Sequence, residues 1–139
     1  MLDKSRILSK LDELDTYLSE LKTVMPKSYE EYTRSIEKKR SSERLLHILT
    51  ERVIDVCALI VKGLRLGLPA EEEDLFEKLE KEKIISKKMK EKSKSMRGFR
   101  NILVHRYAEV DDELVFENLG KINDFREFRE EIGSFLRKF

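Results

Sequence analysis

The sequence predicts an all-α fold, an antiparallel bundle of about four to five helices, and three observations point there. Apolar residues recur three and four apart along most of the chain, the spacing that lines one face of a helix. No segment keeps the apolar–polar alternation of period two that a half-buried strand needs. Glycine and proline are scarce, five Gly and two Pro, where a β-rich chain of this size would need many tight turns. The 139 residues suit one helical domain, 1–139, with a sizeable core, and are short for two.

The first helix is expected from about Asp3 to Met25, where Leu2, Ile7, Leu11, Leu14, Leu18 and Leu21 form one stripe. Pro26 ends it, because the ring fixes its own backbone and disfavours helix at the preceding residue. Ser28 is the next start signal, with Glu31 three residues on as in a capping box, and Tyr29, Tyr32 and Ile36 continue its apolar side. From about Arg34 to Leu66 nothing breaks the pattern before Gly63, so the longest helix is expected there. Its apolar face widens between Val53 and Val61, which predicts contact with more than one neighbour, two helices of the same chain or one helix plus a second copy. Cys57 reads as small core filler. Glu51 and Asp55, one turn apart, are either an exposed acidic edge, the plainer reading, or partners for a cation such as Arg100. His47 has no second His or Cys nearby and is expected at the surface or half-buried rather than on a metal.

Gly67-Leu68-Pro69-Ala70 separates the long helix from a short one whose first turn, Glu71 to Asp74, carries acid where the helix dipole favours it. Leu75, Phe76 and Leu79 give that helix its apolar side. The lysine-rich run from Lys87 to Lys94 leads into a further helix whose buried stripe is Met89, Met96, Phe99 and Leu103. Gly98 lies inside it at a cost of about 1 kcal/mol against alanine, which predicts a close helix approach there, such as a crossing with a second copy. Asp111 or Asp112 then caps a last helix running from Leu114 to Leu136.

Charged residues make up 41% of the chain, yet 29 Lys plus Arg nearly cancel 28 Asp plus Glu. With no global field to attract a polyanion, any nucleic-acid site has to be a local patch. A single cysteine, Cys57, rules out an internal disulfide and suits a reducing cytosol. The longest apolar run, Cys57 to Val61, is far short of a membrane span, and no secretory segment is visible, so a cytoplasmic protein without a membrane partner is expected.

One stretch concentrates chemistry: Met96-Arg97-Gly98-Phe99-Arg100-Asn101-Ile102-Leu103-Val104-His105-Arg106-Tyr107. Arg100 can hold a phosphate and stabilise charge growing on its oxygens. His105 can take a proton from a nucleophile or give one to a leaving group. Together they form a set for cleaving phosphodiesters that requires neither metal nor cofactor. Five residues apart, the two point about 140° away from each other on an ideal helix. Asn101, four residues before His105, shares its face and could orient the imidazole. Arg100 must therefore curl round, or the helix loosen near His105, or a second subunit complete the site, and the last is the reading taken here. The plain alternative, a surface ion pair at Arg100 and a helix end at His105, is the one that spacing alone favours. Lys94, Arg97 and Arg106 add charge on or beside this stretch and read as a tentative RNA-facing patch, against the alternative of a solvated basic face. Both Arg100 and His105 lie off the buried stripe, so Arg100→Ala and His105→Ala are expected to abolish cleavage and leave stability nearly intact.

Arg-Asn-Ile-Leu-Val-His-Arg-Tyr following Met-Arg-Gly-Phe resembles the signature of HEPN-domain proteins, specifically the HepT-like toxins. The resemblance extends to Ser42 through Asp55, similar to the family's long earlier helix, and to Val110 through Phe116, and so covers roughly Leu2 to Leu136. It implies a helical homodimer and a metal-independent ribonuclease paired with a minimal nucleotidyltransferase antitoxin. It also implies that Arg100 and His105 are the catalytic pair and that Tyr107 is the tyrosine the antitoxin modifies with AMP. Arg106 departs from the pattern, since many relatives carry an acid between the histidine and the tyrosine, and this bears on RNA or antitoxin preference.

Three functions are compatible with these features. In the first, an endoribonuclease toxin, His105 deprotonates a 2′-hydroxyl and Arg100 stabilises the pentavalent phosphate, leaving a 2′,3′-cyclic phosphate. The second is a non-catalytic nucleotide- or RNA-binding helical dimerisation module, and the third a structural dimer without a site. No P-loop, metal cluster or nucleophilic triad supports another enzyme class.

Overall fold

The structure, a computed structural model, describes residues 1–105 and 110–139. It contains seven helices: α1 (Lys4–Val24), α2 (Tyr29–Arg34), α3 (Ile36–Gly63), α4 (Glu72–Lys81), α5 (Lys87–His105), α6 (Asp112–Leu119) and α7 (Asn123–Lys138). There is no strand among the described residues.

The number exceeds the four or five expected because two stretches read as continuous are broken. At Ser35 the backbone turns extended, with φ −121° and ψ 108°, and the hydroxyl accepts from the Lys38 amide, so this residue ends α2 and caps α3 at once. At the other end, Gly120 closes α6 and a turn through Ile122 starts α7. The remaining punctuation follows the sequence. Ser28 caps α2 by accepting from Glu31 N–H at 3.1 Å, and Asp111 caps α6 by accepting from Glu113 N–H at 2.9 Å. Glu71 and Asp74 form a reciprocal capping box at the head of α4.

α3 is the axis of the bundle and packs against each of the other six helices. Its wide apolar face accounts for this. Val53, Val56, Cys57 and Ile60 are all fully buried, and they point to different neighbours, chiefly α1 on one side and the α4–α5 pair on the other. The buried stripe of α1, from Ile7 to Leu21, closes the first side. Leu75, Phe76 and Leu79 of α4 and Met89, Met96 and Phe99 of α5 close the second. α7 brings Phe125, Phe128, Ile132 and Leu136 against α1, α3 and α5. Burial pushes the Cys57 thiol well above its ordinary pKa, consistent with a core residue that does no chemistry. Of the three residues expected on the α2 side, only Tyr32 is buried, while Tyr29 is 41% and Ile36 61% exposed.

The turns that end α3 and α4 each use a left-handed residue that is not glycine. Arg65 (φ 54°) and Lys83 (φ 59°) follow the C-caps of α3 and α4. The next amides reach back, Leu66 N to Val61 O at 3.0 Å and Ile84 N to Leu79 O at 2.9 Å, which is the Schellman pattern. These turns fold α4 back on α3 and then α5 back on α4, so the acidic head of α4 lies beside the middle of α5.

Within this chain the close approach to a glycine is at Gly63. A Cβ on Gly63 would sit 2.9 Å from Leu2 Cα and 2.9 Å from its Cδ1, because the N-terminal residues cross the end of α3. A Cβ on Gly98 would meet nothing within 4 Å, so no helix of the same chain needs that glycine.

Candidate functional site

α5 runs from the interior of the bundle, where Met89 is 2% exposed, to an open end at Val104 and His105, both exposed. Phe99 and Met96 anchor it to the core, and Asn101 is half-buried. Asn101 and His105 share a face one turn apart, but no hydrogen bond joins them among the described residues. Arg106 and Tyr107, expected as an RNA contact and as the modified residue, lie outside the described residues.

Arg100 does not stay clear of the buried side. Its side chain is only 10% exposed, held between α3 and α4. Nη1 donates to Glu51 Oε1 and Nη2 to Glu72 Oε1, while Nε is covered and without a partner among the described residues. Burial works against the charge, but the hydrogen bonds and charges of Glu51 and Glu72 more than offset it and raise the guanidinium pKa above its ordinary value. Of the two roles open to Glu51, partner of Arg100 is the one realised. Asp55 turns to Arg52 at 3.4 Å and Lys10 at 4.0 Å instead. The expectation that Arg100→Ala leaves stability intact is corrected accordingly, since the substitution would leave two carboxylates without their shared cation.

The two carboxylates link Arg100 to further charges. Glu72 Oε1 also accepts from Arg97 Nε at 3.0 Å, and Arg97 Nη1 reaches Glu73 Oε1 at 3.3 Å. On the other side, His47 is half-buried with Nε2 3.4 Å from Glu51 Oε1. Lys94 bonds to Glu77, and Lys90 to Glu80 at 3.2 Å. The hydrogen bond from Lys94 holds the Glu77 carboxyl below its ordinary pKa, and the bonds to Glu80 and Glu77 raise Lys90 and Lys94 respectively. The lysine-rich face of α5 is thus paired with the acidic face of α4, so Lys94 and Arg97 are ion-paired within the chain rather than standing free. Among the described residues no group of three or more His, Cys, Asp or Glu is placed to hold a metal ion.

Glu72 is the site residue that the sequence leaves unmarked, because it reads as an acid suited to a helix start, whereas Glu51 carries two readings there, an exposed edge or a partner of Arg100. The usable signal was complementarity, four consecutive acids opening α4 against a cation at 90, 94, 97 and 100 on α5; it identifies paired faces, though not which acid meets Arg100.

At the open end of α5, His105 carries its imidazole in solvent, while Arg100 faces into the α3–α4 groove.

Comparison with known proteins agrees with this helical frame. Residues 14–132 match the family described as Ribonuclease HepT-like. A tRNA nuclease HepT of Aphanizomenon flos-aquae is 28% identical over 131 residues, 94% of this chain and 89% of that protein. An mRNA nuclease HepT of Shewanella oneidensis is 32% identical over 79 residues, 56% of this chain and 59% of that one. Among solved structures, the tri-AMPylated Shewanella oneidensis HEPN toxin in complex with MNT antitoxin superimposes with a TM-score of 0.84 at 24% identity, covering 92% of this chain and 96% of that one. YutE of Bacillus subtilis, a cytosolic protein of unknown function, does so with a TM-score of 0.85 at 20% identity, covering 99% and 92%. No helix among the described residues is long and apolar enough to cross a membrane. With the match running from α1 into α7 and across the Arg100–His105 segment, the chain belongs to the HepT-like ribonuclease family.

Proposed function

We propose that this chain is a metal-independent endoribonuclease toxin that acts as a homodimer and is silenced by a nucleotidyltransferase antitoxin through AMP on Tyr107. The observation that carries the reading is Arg100 and His105 on one helix inside a family match whose relatives are named as a tRNA nuclease and an mRNA nuclease. His105, solvent-exposed at the end of α5, takes the proton of the attacking 2′-hydroxyl. Arg100 neutralises charge on the phosphate oxygens as they become pentavalent. The 2′-oxygen attacks its neighbouring phosphorus, the P–O5′ bond breaks and the departing 5′-oxygen takes a proton from water, so the 3′ fragment leaves with a 5′-hydroxyl and the other keeps a 2′,3′-cyclic phosphate. Because five residues on a helix point the two groups apart, the second copy supplies the other half, with α5 crossing its counterpart where Gly98 leaves open space. Asn101 lies on the same face of α5 as His105, one turn before it, and helps orient the imidazole. Lys94 and Arg97 could contact RNA only by exchanging their acidic partners. The relatives solved as toxin–antitoxin complexes support the partner, and AMP tethered at Tyr107 would bring a phosphate among the cations that RNA needs.

The second reading, a non-catalytic RNA- or nucleotide-binding dimer, is favoured by one observation: Arg100 is already held by two carboxylates. Purified protein incubated with RNA in EDTA separates the readings. New 2′,3′-cyclic phosphate ends with wild type and none with His105→Ala support the nuclease; bound but intact RNA supports the alternative.

A further inference from the structure

The motif arginine meets more negative charge than it can neutralise. Arg100 and Arg97 are two cations set against three carboxylates, Glu51, Glu72 and Glu73, with His47 at the far side of Glu51. An incoming phosphodiester would add a further negative charge, so one carboxylate has to leave before Arg100 can take it. We propose that Glu72 is that carboxylate, a phosphate stand-in which substrate RNA displaces, and that Glu51 is the positioning residue which keeps the guanidinium aimed during the exchange. The proposal rests on Arg100 being the phosphate-binding group of the function given above.

Three features distinguish the two acids. Glu72 Oε1 is shared between Arg100 Nη2 and Arg97 Nε, so on release it keeps one cation. Glu72 is the first residue of α4, just after the exposed segment 67–71, whereas Glu51 stands in the middle of α3, which packs against all six other helices. The third feature is the edge each acid occupies. The Nε and Nη2 hydrogens of a guanidinium lie along one edge, the geometry that grips two oxygens of a phosphate. Glu72 uses Nη2 alone and leaves Nε covered with no partner among the described residues. A phosphate in its place satisfies both donors, while Glu51 on Nη1 is undisturbed.

The test measures binding and turnover separately on the full-length protein. A fluorescein-labelled RNA is titrated by anisotropy in a His105→Ala background, where no cleavage interferes, and Glu72→Gln is compared with Glu73→Gln, which removes the same charge one residue away. Glu72→Gln is expected to tighten binding by about 5- to 10-fold and Glu73→Gln by less than about 2-fold, because only the first removes a direct competitor. Adding Arg100→Ala to Glu72→Gln should erase the gain. Glu51→Gln with His105 restored should lower kcat by roughly 10-fold or more with little change in KM, the split expected of lost aim. Equal effects of Glu72→Gln and Glu73→Gln, weaker binding on Glu72→Gln, or a gain that survives Arg100→Ala would each overturn the proposal. RNA that binds in this pattern but is never cut by the wild type would count against the nuclease reading and leave the exchange standing.

Discussion

Replacing Arg100 by alanine should destabilise the protein by about 2 kcal/mol, although the residue was expected from its sequence position to be dispensable for folding. The substitution removes hydrogen bonds from Nη1 to Glu51 and from Nη2 to Glu72. Bonds to charged groups contribute about 1.5–3 kcal/mol each when shielded from water. Here the arginine is 10% exposed but its acceptors are 33% and 38% exposed, so solvent rehydrates much of what the carboxylates lose, and the pair together is worth about 2 kcal/mol. For a chain of this length that corresponds to a fall in Tm of about 7 °C. Urea unfolding followed by far-UV circular dichroism at neutral pH measures it directly. Two neighbouring carboxylates deprived of their shared cation, with Arg97 still on Glu72, should also make the variant more salt-sensitive than the wild type, and adding Glu51→Gln and Glu72→Gln should recover part of the loss. An unchanged midpoint in Arg100→Ala would refute the idea that the clamp contributes to the fold.

Further outcomes follow from other parts of the bundle. Gly63→Ala should be destabilising, by about 1–3 kcal/mol in the same urea assay, because its Cβ would meet Leu2 at 2.9 Å, whereas Gly98→Ala should keep or raise stability in the isolated chain while weakening self-association measured by sedimentation. Lys83→Gly should raise the melting temperature by about 2–4 °C, since Lys83 holds φ at 59° where glycine carries no Cβ penalty. Stability against pH should be level through neutrality and fall in acid. Hydrogen bonds hold Glu77, Glu127, Glu31 and Asp74 below their ordinary values of 4.5 and 3.8, so what they contribute is complete above those values and is lost as pH drops through the lowered ones.

The helices were legible because their signals are local. Pro26, Ser28, the acids at 71–74 and Asp111 mark ends by backbone chemistry that acts within four residues, and the stripes of α1 and α5 record which side faces the core. The breaks at Ser35 and Gly120 were missed because each interrupts an apolar pattern that continues on the far side, so periodicity alone gave no sign of a change in direction. Gly98 is a separate case: a glycine within a helix signals a close approach, but the neighbour that needs it can belong to another element or another copy, and within this chain the tight contact falls at Gly63. For the site, Arg100 and His105 stood out by residue type. Their surroundings were legible in part: Glu51 reads as a possible partner of Arg100 from its place on the long helix, but Glu72 joins it only when α4 folds back along α5 and both pack on α3.

The central claim, a site that needs both Arg100 and His105 and draws on two copies of the chain, is tested most directly by complementation. Arg100→Ala and His105→Ala proteins carrying different tags are co-expressed, and the mixed dimer is purified through both tags and incubated with RNA in EDTA. Each parent homodimer should be inactive. In the mixed dimer one of the two symmetry-related sites keeps an intact arginine and an intact histidine from different copies, so about half of wild-type cleavage should return. A mixed dimer as inactive as its parents would contradict a site shared between copies, and an active His105→Ala parent would contradict the chemistry itself.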